Sequence, residues 1–260
     1  DCAIALGSRY QGKSVGTFSD AALFSTDRTK ITSTQYGGIA FTMDKAIAKK
    51  IKIIYQQTPF LKRSQIANIW LQVILSKVLL TPRAYFWGKY LFHLGFKWRF
   101  FFDFIEDKNN LNLPRGYPYP CRFSNFQAYV GIKQLNSLSE NLTLRRQMVA
   151  RYAEIIKKKG KLSKQTYSQA ESFTLRFPLL LKKRNDFVRR QKKYFEVGKW
   201  FDSPAVGWYD DFEKISYSPG ACPVAETIFE YIVNFPTHQT NPILRTFLYQ
   251  IMEDIDADDI

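Results

Sequence analysis

The sequence has few of the residues from which metal sites and hydrolytic centres are built. It contains only two histidines, His93 and His238, so a His-based zinc site or a Ser-His-Asp triad has almost no material. Its three cysteines, Cys2, Cys121 and Cys222, are far apart and form no C-x-x-C pair. An odd number of scattered cysteines favours a reducing compartment. We therefore predict a cytoplasmic protein with no metal site and no disulfide framework.

Long uncharged apolar runs are also absent. Residues 66–80 and the aromatic-rich residues 85–104 are the most apolar stretches, but neither reaches the roughly 18 uncharged residues that a membrane span needs. We predict that both form helices, within an insert at about 60–106. Aromatic side chains interleaved with Lys and Arg are typical of an interfacial amphipathic element. The alternatives are peripheral membrane contact through 66–104 at the inner face of a membrane, a dimer contact, or burial against the rest of the protein.

Acidic residues are outnumbered, with 38 Lys and Arg against 23 Asp and Glu and a formal net charge of +15. So basic a chain raises the hypothesis of nucleic-acid binding. The sequence has neither zinc-finger spacing nor an RNP-type aromatic motif, and we predict no nucleic-acid partner. The charge is interpreted as a solvated surface, or as a means of attracting a nucleotide-diphosphate substrate or anionic lipid. The acidic C-terminal residues 253–259 are expected to fray.

Helix and strand patterns alternate along the rest of the chain, which predicts an α/β fold. Hydrophobic residues make up 45% of the 260 residues, enough for one or two domains with a sizeable core. Helices are predicted at 126–135, 140–158 and 185–196, a strand within 172–181, and a short apolar strand or helix end at 229–234.

A lysine after an apolar strand is the most informative residue of the chain. We predict that residues 22–24 form a buried strand and that Lys30 lies in the loop at its carboxyl end, before the Gly37-Gly38 pair. Such loops are where open α/β sheets build ligand sites. If burial disfavours its charge, a lysine there can act as an amine nucleophile. The alternative interpretation is an ordinary solvated lysine.

Three blocks of the sequence contain recognisable motifs. The first comprises Asp1, residues 7–13 (GSRYQGK), residues 15–18 (VGTF), and the Phe24-Ser25 pair with Lys30 five residues after the serine. The second comprises residues 122–128 (RFSNFQA), Gly131, residues 134–135, Arg145-Arg146 and Tyr152, and the third comprises residues 220–226 (GACPVAE) and 234–238 (NFPTH). In this order, the blocks resemble the DegT/DnrJ/EryC1/StrS family of pyridoxal-phosphate-dependent sugar aminotransferases.

The resemblance implies a fold and a cofactor, pyridoxal 5′-phosphate. The fold is the α/β fold of type I pyridoxal-phosphate transferases, with residues 1–137 as the remainder of the large cofactor-binding domain and residues 138–260 as the small C-terminal domain. Family members carry about another domain's worth of sequence before the position of Asp1. The resemblance therefore implies that the chain is the C-terminal part of a longer enzyme and that it binds the cofactor poorly alone.

The resemblance also implies roles for four residues. Lys30 would bond to the cofactor aldehyde and then carry the proton during transfer. Asp1 would pair with the pyridinium nitrogen, because a carboxylate beside it favours the protonated ring that serves as an electron sink. Ser25 would donate a hydrogen bond to the cofactor phosphate. His238 would touch the substrate, since the family places its motif near the active site.

At three positions the chain differs from the residues that are usual in this family. Ile4 stands where the family often has Gln or His, Pro120 where an Asn often reaches the phosphate from the partner subunit, and Gln35-Tyr36 where Gly-Glu is usual. Lys30 itself argues against the family's dehydratase branch, which has His at that position.

From these observations we predict a homodimeric aminotransferase that moves an amino group, from glutamate or a similar donor, to a keto-sugar nucleotide for cell-surface polysaccharide or lipopolysaccharide synthesis. Two alternatives remain open. One is a catalytically reduced paralogue that serves as a binding or scaffolding subunit, which Ile4 and Pro120 favour. The other is a basic membrane-surface interaction protein, which the charge and the aromatic insert favour.

Overall fold

The structure is a computed structural model that describes residues 1–79, 85–98, 100–102, 117–161, 170–172, 175–192, 194–195, 197–201, 203–205 and 212–260. It divides into two compact units. The first comprises Asp1–Trp70, Pro120–Leu175 and Thr237–Glu253, and the second comprises Leu71–Tyr119, Arg176–Pro236 and Asp254–Ile260. The domain boundary predicted between residues 137 and 138 stays a prediction.

The described strands are short and pair antiparallel. They are β1 (Arg9–Tyr10), β2 (Lys13–Ser14), β3 (Ala22–Ser25), β4 (Gly38–Phe41), β5 (Ala170–Glu171), β6 (Arg176–Leu180) and β7 (Ile232–Pro236). In the first unit β1 pairs with both β2 and β5, and β3 pairs with β4; in the second unit β6 pairs with β7.

The helices of the described residues are α1 (Lys45–Gln57), α2 (Arg63–Leu79), α3 (Tyr85–Lys97), α4 (Asn125–Asn136), α5 (Leu138–Lys158), α6 (Arg184–Gln191), α7 (Pro223–Tyr231) and α8 (Pro242–Glu253). Among the described residues, four strands are followed by five helices, so the alternation of helix and strand that the sequence pattern predicts holds only from α5 onward.

The strand predicted at 22–24 is confirmed as β3, but the prediction that it is buried is wrong for part of it. Ala22 is buried, whereas Leu23 is 53% exposed. Successive side chains of a strand point to opposite faces. Among the described residues β3 pairs with β4 in a two-stranded hairpin, with Leu23 opposite Ala40, and the face that carries Leu23 is exposed.

Two long helices of the first unit, α4 and α5, confirm the helices predicted at 126–135 and 140–158. Helix α4 begins with a capping box, in which Ser124 accepts the Gln127 backbone N–H at 3.2 Å and the Gln127 side chain accepts the Ser124 backbone N–H at 3.1 Å. Such reciprocal hydrogen bonds satisfy donors that a helix start otherwise leaves open. The start of α4 is therefore fixed by its own sequence.

The core of the first unit lies between α5 and α8. The buried side chains that share it are Met148, Tyr152, Ile155 and Ile156 from α5 and Leu248, Ile251 and Met252 from α8. Those of α5 recur at helical spacing, so that they form one apolar stripe. The rings of Tyr152 and Tyr249 meet edge to face with centroids 5.5 Å apart, and burial raises the pKa of Tyr152.

Helix α1 carries two kinds of side chain on its surface. Lysines at 45, 49, 50 and 52 alternate with isoleucines, and none of its residues is buried. Ile54 and the nearby Met43 and Phe60 are among the most exposed apolar side chains of the first unit. The helix is therefore basic on one side and apolar on the other.

In the second unit, the predicted strand within 172–181 is confirmed as β6. The apolar run at 229–234 contains the end of α7 and the first part of β7. Phe177 and Leu179 of β6 and Val233 and Phe235 of β7 are buried, as the alternation of a strand requires. The helix predicted at 185–196 is confirmed as α6, with Asp186 in its first turn, but it ends at Gln191.

The two helices predicted for the aromatic-rich insert are confirmed as α2 and α3. Residues 80–84, 99 and 103–106 of the predicted insert lie outside the described residues. Within the second unit the Phe92 and Phe101 rings pack with centroids 5.1 Å apart, while Trp87 and Trp98 are exposed. Among the residues that the structure describes, no helix has both the length and the apolar character to cross a bilayer. Membrane contact through 66–104 stays a prediction.

The prediction that residues 253–259 fray is wrong. Ile255 is buried, and a 3-10 helix follows at Ala257–Asp259. The Asp259 carbonyl accepts the Lys182 backbone N–H at 2.7 Å, and the Asp259 carboxylate lies 3.0 Å from Lys183 Nζ. An apolar anchor and a hydrogen bond to the residues after β6 thus hold the acidic segment on the second unit.

The α5–α8 core can be tested with two Met-to-Ala substitutions. Met148 has 0% of its surface exposed, whereas Met43 is 78% exposed. We expect Met148→Ala to lower the free energy of unfolding by about 2–5 kcal/mol, because it removes buried contacts and leaves a cavity. Met43→Ala should change it by less than about 0.5 kcal/mol. Urea unfolding followed by circular dichroism measures both, and equal losses would contradict this core.

Candidate functional site

Lys30 lies in the loop that joins β3 to β4, residues 26–37, in the first unit. Its backbone N–H donates to the Asp27 carbonyl at 3.0 Å, and the Asp27 carboxylate accepts the Thr29 N–H at 3.1 Å. The Lys30 side chain is half-buried. The lysine is thus presented from a tight turn directly after the strand, as the sequence predicts.

A buried link closes this loop at its base. The Thr26 backbone N–H donates to the Gly37 carbonyl at 3.0 Å, and the Thr26 carbonyl accepts the Thr34 N–H at 2.8 Å. The hydroxyls of Thr26 and Thr34 lie 2.7 Å apart, and both residues are buried. A hydrogen bond in so dry a place holds its geometry better than one in water.

The structure explains why the first residue of the Gly37-Gly38 pair is glycine. Its φ is +115°, a conformation that L side chains rarely adopt, and a Cβ there would overlap the Phe123 ring. Glycine at this position therefore allows the loop to turn back into β4 and the aromatic ring to lie against the turn.

Three side-chain amides from α4 and α5 hold the far side of the loop, and we call them the amide clamp: Gln127, Gln134 and Asn141. Gln127 Nε2 donates to the Tyr36 carbonyl at 3.1 Å. Gln134 Oε1 accepts the Ser33 N–H at 2.9 Å, and its Nε2 donates back to the Ser33 carbonyl.

Asn141 completes the amide clamp, since its Nδ2 donates to the carbonyl of Ile31, the residue after Lys30, at 3.3 Å. Gln127, Gln134 and Asn141 are spaced by seven residues each, 134 − 127 and 141 − 134. Sequence reasoning assigned no role to them. Gln127 and Gln134, two turns apart, lie on the same side of α4, but Asn141 belongs to α5, so sequence spacing alone does not bring the three amides together.

Ser25 and Asp1 lie on neighbouring segments of the same unit. Ser25 is the last residue of β3, and its Oγ accepts the Asp27 N–H at 3.3 Å; a hydroxyl can accept and donate at once. The Cys2 N–H donates to the Leu23 carbonyl at 2.9 Å, which holds Asp1 beside β3. The Asp1 carboxylate is exposed and accepts the Ala3 N–H at 2.8 Å.

His238 belongs to the first unit but to a different segment, the residues that precede α8. It is half-buried, and burial, followed by the positive charge of Arg145, lowers its pKa. Arg145 Nη1 donates to the hydroxyl of Thr237 at 2.8 Å, and Arg145 Nε donates to Asn141 Oδ1 at 2.8 Å. Hydrogen bonds through α5 therefore connect the His238 segment with the loop of Lys30.

A separate cavity of about 580 Å³ lies in the second unit, and none of the four residues predicted from the sequence lines it. Its lining is mainly apolar and includes Trp200, Phe201, Pro223, Val224 and Ile228. The described residues contain no group of three or more His, Cys, Asp or Glu side chains that could hold a metal ion. The polar chemistry of the candidate site thus lies around the β3–β4 loop.

Comparison with known proteins decides the family. The sequence model of the DegT/DnrJ/EryC1/StrS aminotransferase family matches residues 1–241. The chain belongs to this family. The match covers all three sequence blocks and each of Asp1, Ser25, Lys30 and His238, and it confirms the resemblance stated above.

Two solved structures of aminotransferases are similar to this family member in fold. Spr1654 from Streptococcus pneumoniae, described as a sugar aminotransferase, is 18% identical in its PMP form, with a TM-score of 0.60 over 97% of this chain and 57% of that protein. Helicobacter pylori PseC, an aminotransferase involved in the biosynthesis of pseudoaminic acid, is 16% identical, with a TM-score of 0.57 over 97% of this chain and 57% of that protein. The predicted α/β fold of type I transferases is confirmed.

A curated relative matches a shorter stretch. GDP-perosamine synthase from Escherichia coli O157:H7 is 49% identical over 47 residues, which are 18% of this chain and 13% of that protein. The chain thus spans little more than half the length of the solved relatives and a smaller part of the curated one.

The surroundings of His238 lead to a pH-dependent prediction. Because its folded-state pKa is lowered, protonation favours the unfolded chain, so stability is present above the ordinary histidine pKa of about 6.5 and is lost as the pH falls below it. In a His93→Gln variant, the one remaining imidazole should titrate below that value by NMR. His238→Gln should reduce the loss of unfolding free energy on acidification. A normal titration of His238 would contradict its assigned surroundings.

Proposed function

We propose that the full-length protein carrying this chain is a pyridoxal-phosphate-dependent aminotransferase. It transfers an amino group, from glutamate or a similar donor, to a keto-sugar nucleotide. The observation that carries this proposal is an amine, Lys30, held on a hydrogen-bonded loop directly after β3, in a chain of the DegT/DnrJ/EryC1/StrS family.

The residues present fit the cofactor in their chemistry. A primary amine, a carboxylate and a hydroxyl are provided by Lys30, Asp1 and Ser25, and backbone hydrogen bonds tie all three to β3 or to the loop that follows it. Lys30 would hold the cofactor covalently, Asp1 would face its ring nitrogen, and Ser25 would donate to its phosphate. Spr1654, solved in a PLP form and a PMP form, supports the choice of cofactor.

Each of these residues contributes a defined step. When bound, the cofactor supplies an electron sink for the substrate carbon that loses a proton. Lys30 Nζ would be the base that takes this proton and returns it. The Asp1 carboxylate would favour the protonated form of the ring nitrogen. The amide clamp limits the motion of the Lys30 loop, so that the amine is presented in one geometry.

Two observations support a nucleotide-sugar substrate: the names of similar proteins and the positive net charge of the chain. GDP-perosamine synthase and PseC are named for sugar chemistry, which supports a sugar substrate, and cell-surface polysaccharide or lipopolysaccharide synthesis is the context that we propose. The net charge of +15 would attract the diphosphate of a nucleotide sugar. A cytoplasmic homodimer remains part of the same proposal.

Covalent trapping tests this function. We expect borohydride reduction of the full-length protein with pyridoxal phosphate to leave a pyridoxyl label on the peptide that contains Lys30, detected by mass spectrometry. Lys30→Ala should abolish both the label and the activity, because no other residue replaces the amine. Lys45→Ala, which removes an exposed lysine of α1, should change neither.

A scaffolding subunit is the second candidate, and the positions of Ile4 and Pro120 favour it. Both are exposed, and neither side chain can donate the hydrogen bond that the family often places there. If the wild-type protein takes up no label on Lys30 while it remains folded, the aminotransferase proposal fails and the scaffolding function is favoured.

A further inference from the structure

Hydrogen bonds within the first unit form a continuous chain from the Lys30 loop to the His238 segment. At one end Asn141 Nδ2 donates to the Ile31 carbonyl at 3.3 Å. In the middle, Arg145 Nε donates to Asn141 Oδ1 at 2.8 Å. At the other end, Arg145 Nη1 donates to Thr237 Oγ1 at 2.8 Å. The chain thus begins next to Lys30 and ends next to His238.

The direction of every hydrogen bond in this chain is fixed by chemistry. A guanidinium only donates, so the atom of Asn141 that faces Arg145 must be its oxygen, and its NH₂ group must face Ile31. The Thr237 hydroxyl accepts from Arg145 and is left to donate to the Leu175 carbonyl, 2.9 Å away. Reversal of one link would set donor against donor or acceptor against acceptor.

Burial protects part of this chain from water. Ile31 is 5% exposed, Arg145 6% and Thr237 1%, whereas Asn141 between them is half-buried, so water has little access to the Arg145–Thr237 link and more to the two links of Asn141. Polar groups in such a place strengthen one another when all are satisfied and are costly when one is not. A broken link next to the buried guanidinium of Arg145 is therefore costly.

We propose that Asn141, Arg145 and Thr237 are positioning residues that hold the Lys30 amine at a fixed position relative to the His238 segment. This inference rests on the proposed aminotransferase function. Transfer of a proton by Lys30 requires that the amine and the substrate meet within a fraction of an ångström. One end of the chain fixes the loop of the amine, and the other fixes the segment beside His238. Burial, followed by the positive charge of Arg145, lowers the pKa of His238, which fits a substrate contact that stays neutral.

Four substitutions separate the links. Asn141→Asp keeps an oxygen for Arg145 but sets a second oxygen against the Ile31 carbonyl. Thr237→Val removes the hydroxyl and keeps the shape, whereas Thr237→Ser keeps the hydroxyl. Thr143→Val is the matched control, because this threonine lies on the exposed side of α5.

The full-length protein, freed of cofactor, is labelled with an amine-acylating reagent at one pH, and mass spectrometry gives the labelling rate of Lys30. We expect Asn141→Asp and Thr237→Val to change that rate by about fivefold, the factor that one ordinary hydrogen bond supplies. Hydrogen exchange of residues 28–33 should accelerate by a similar factor. Thr237→Ser and Thr143→Val should match the wild type in both measurements.

Kinetics of the holoenzyme give an independent readout. The two disruptive variants should lower kcat with little change of KM, because the amine is misplaced while substrate binding is retained. Circular dichroism confirms that each variant is folded. If Thr237→Val is folded and leaves the labelling of Lys30 and the exchange of its loop unchanged, the inference is overturned, and the same result with Asn141→Asp overturns it as well.

Failure of the proposed function would be recognised separately. A wild-type protein without a pyridoxyl label on Lys30 refutes the aminotransferase. Labelling of Lys30 by the acylating reagent needs no cofactor, so its dependence on Asn141 and Thr237 would still support the hydrogen-bonded chain.

Discussion

The loop that carries Lys30 takes part of its hydrogen bonds from side chains of two helices. Peptide groups of a loop need partners as much as those of a sheet do, and without a neighbouring strand they must find them elsewhere. The amide clamp of Gln127, Gln134 and Asn141 supplies these partners, each amide bonding a different part of residues 31–36. An amide is suited to this task because it both donates and accepts. The position of the amine is therefore set by α4 and α5 as much as by β3.

A second consequence of this arrangement is that the buried guanidinium of Arg145 is shared between two segments. It bonds Asn141 on its own helix and Thr237 at the start of the segment that leads into α8. The apolar packing of α5 on α8 is thus continued by polar contacts. The α5–α8 core and the residues of the candidate site thus belong to the same unit.

Local sequence signals predicted the elements that support the site. The period of the apolar residues predicts α4 and α5, and the apolar run before Ser25 predicts β3. The roles of Lys30, Asp1, Ser25 and His238 came from a family resemblance; membership in that family is now shown, while the roles themselves remain proposals. The antiparallel partner of β3 and the anchoring of the last residues by Ile255 were not foreseen, because both depend on tertiary contacts. The amide clamp joins residues 91 to 110 positions apart, which no local pattern reveals.

The two-sided surface of α1 has a consequence for the behaviour of the chain in solution. Its lysines and the overall positive charge keep copies of the chain apart at low ionic strength. At about 0.1 M salt the range of that repulsion shrinks to about 10 Å, roughly the diameter of one helix. Salt therefore weakens the repulsion between the α1 lysines of two molecules but leaves the apolar side of the helix, where Ile54 is 65% exposed, unchanged.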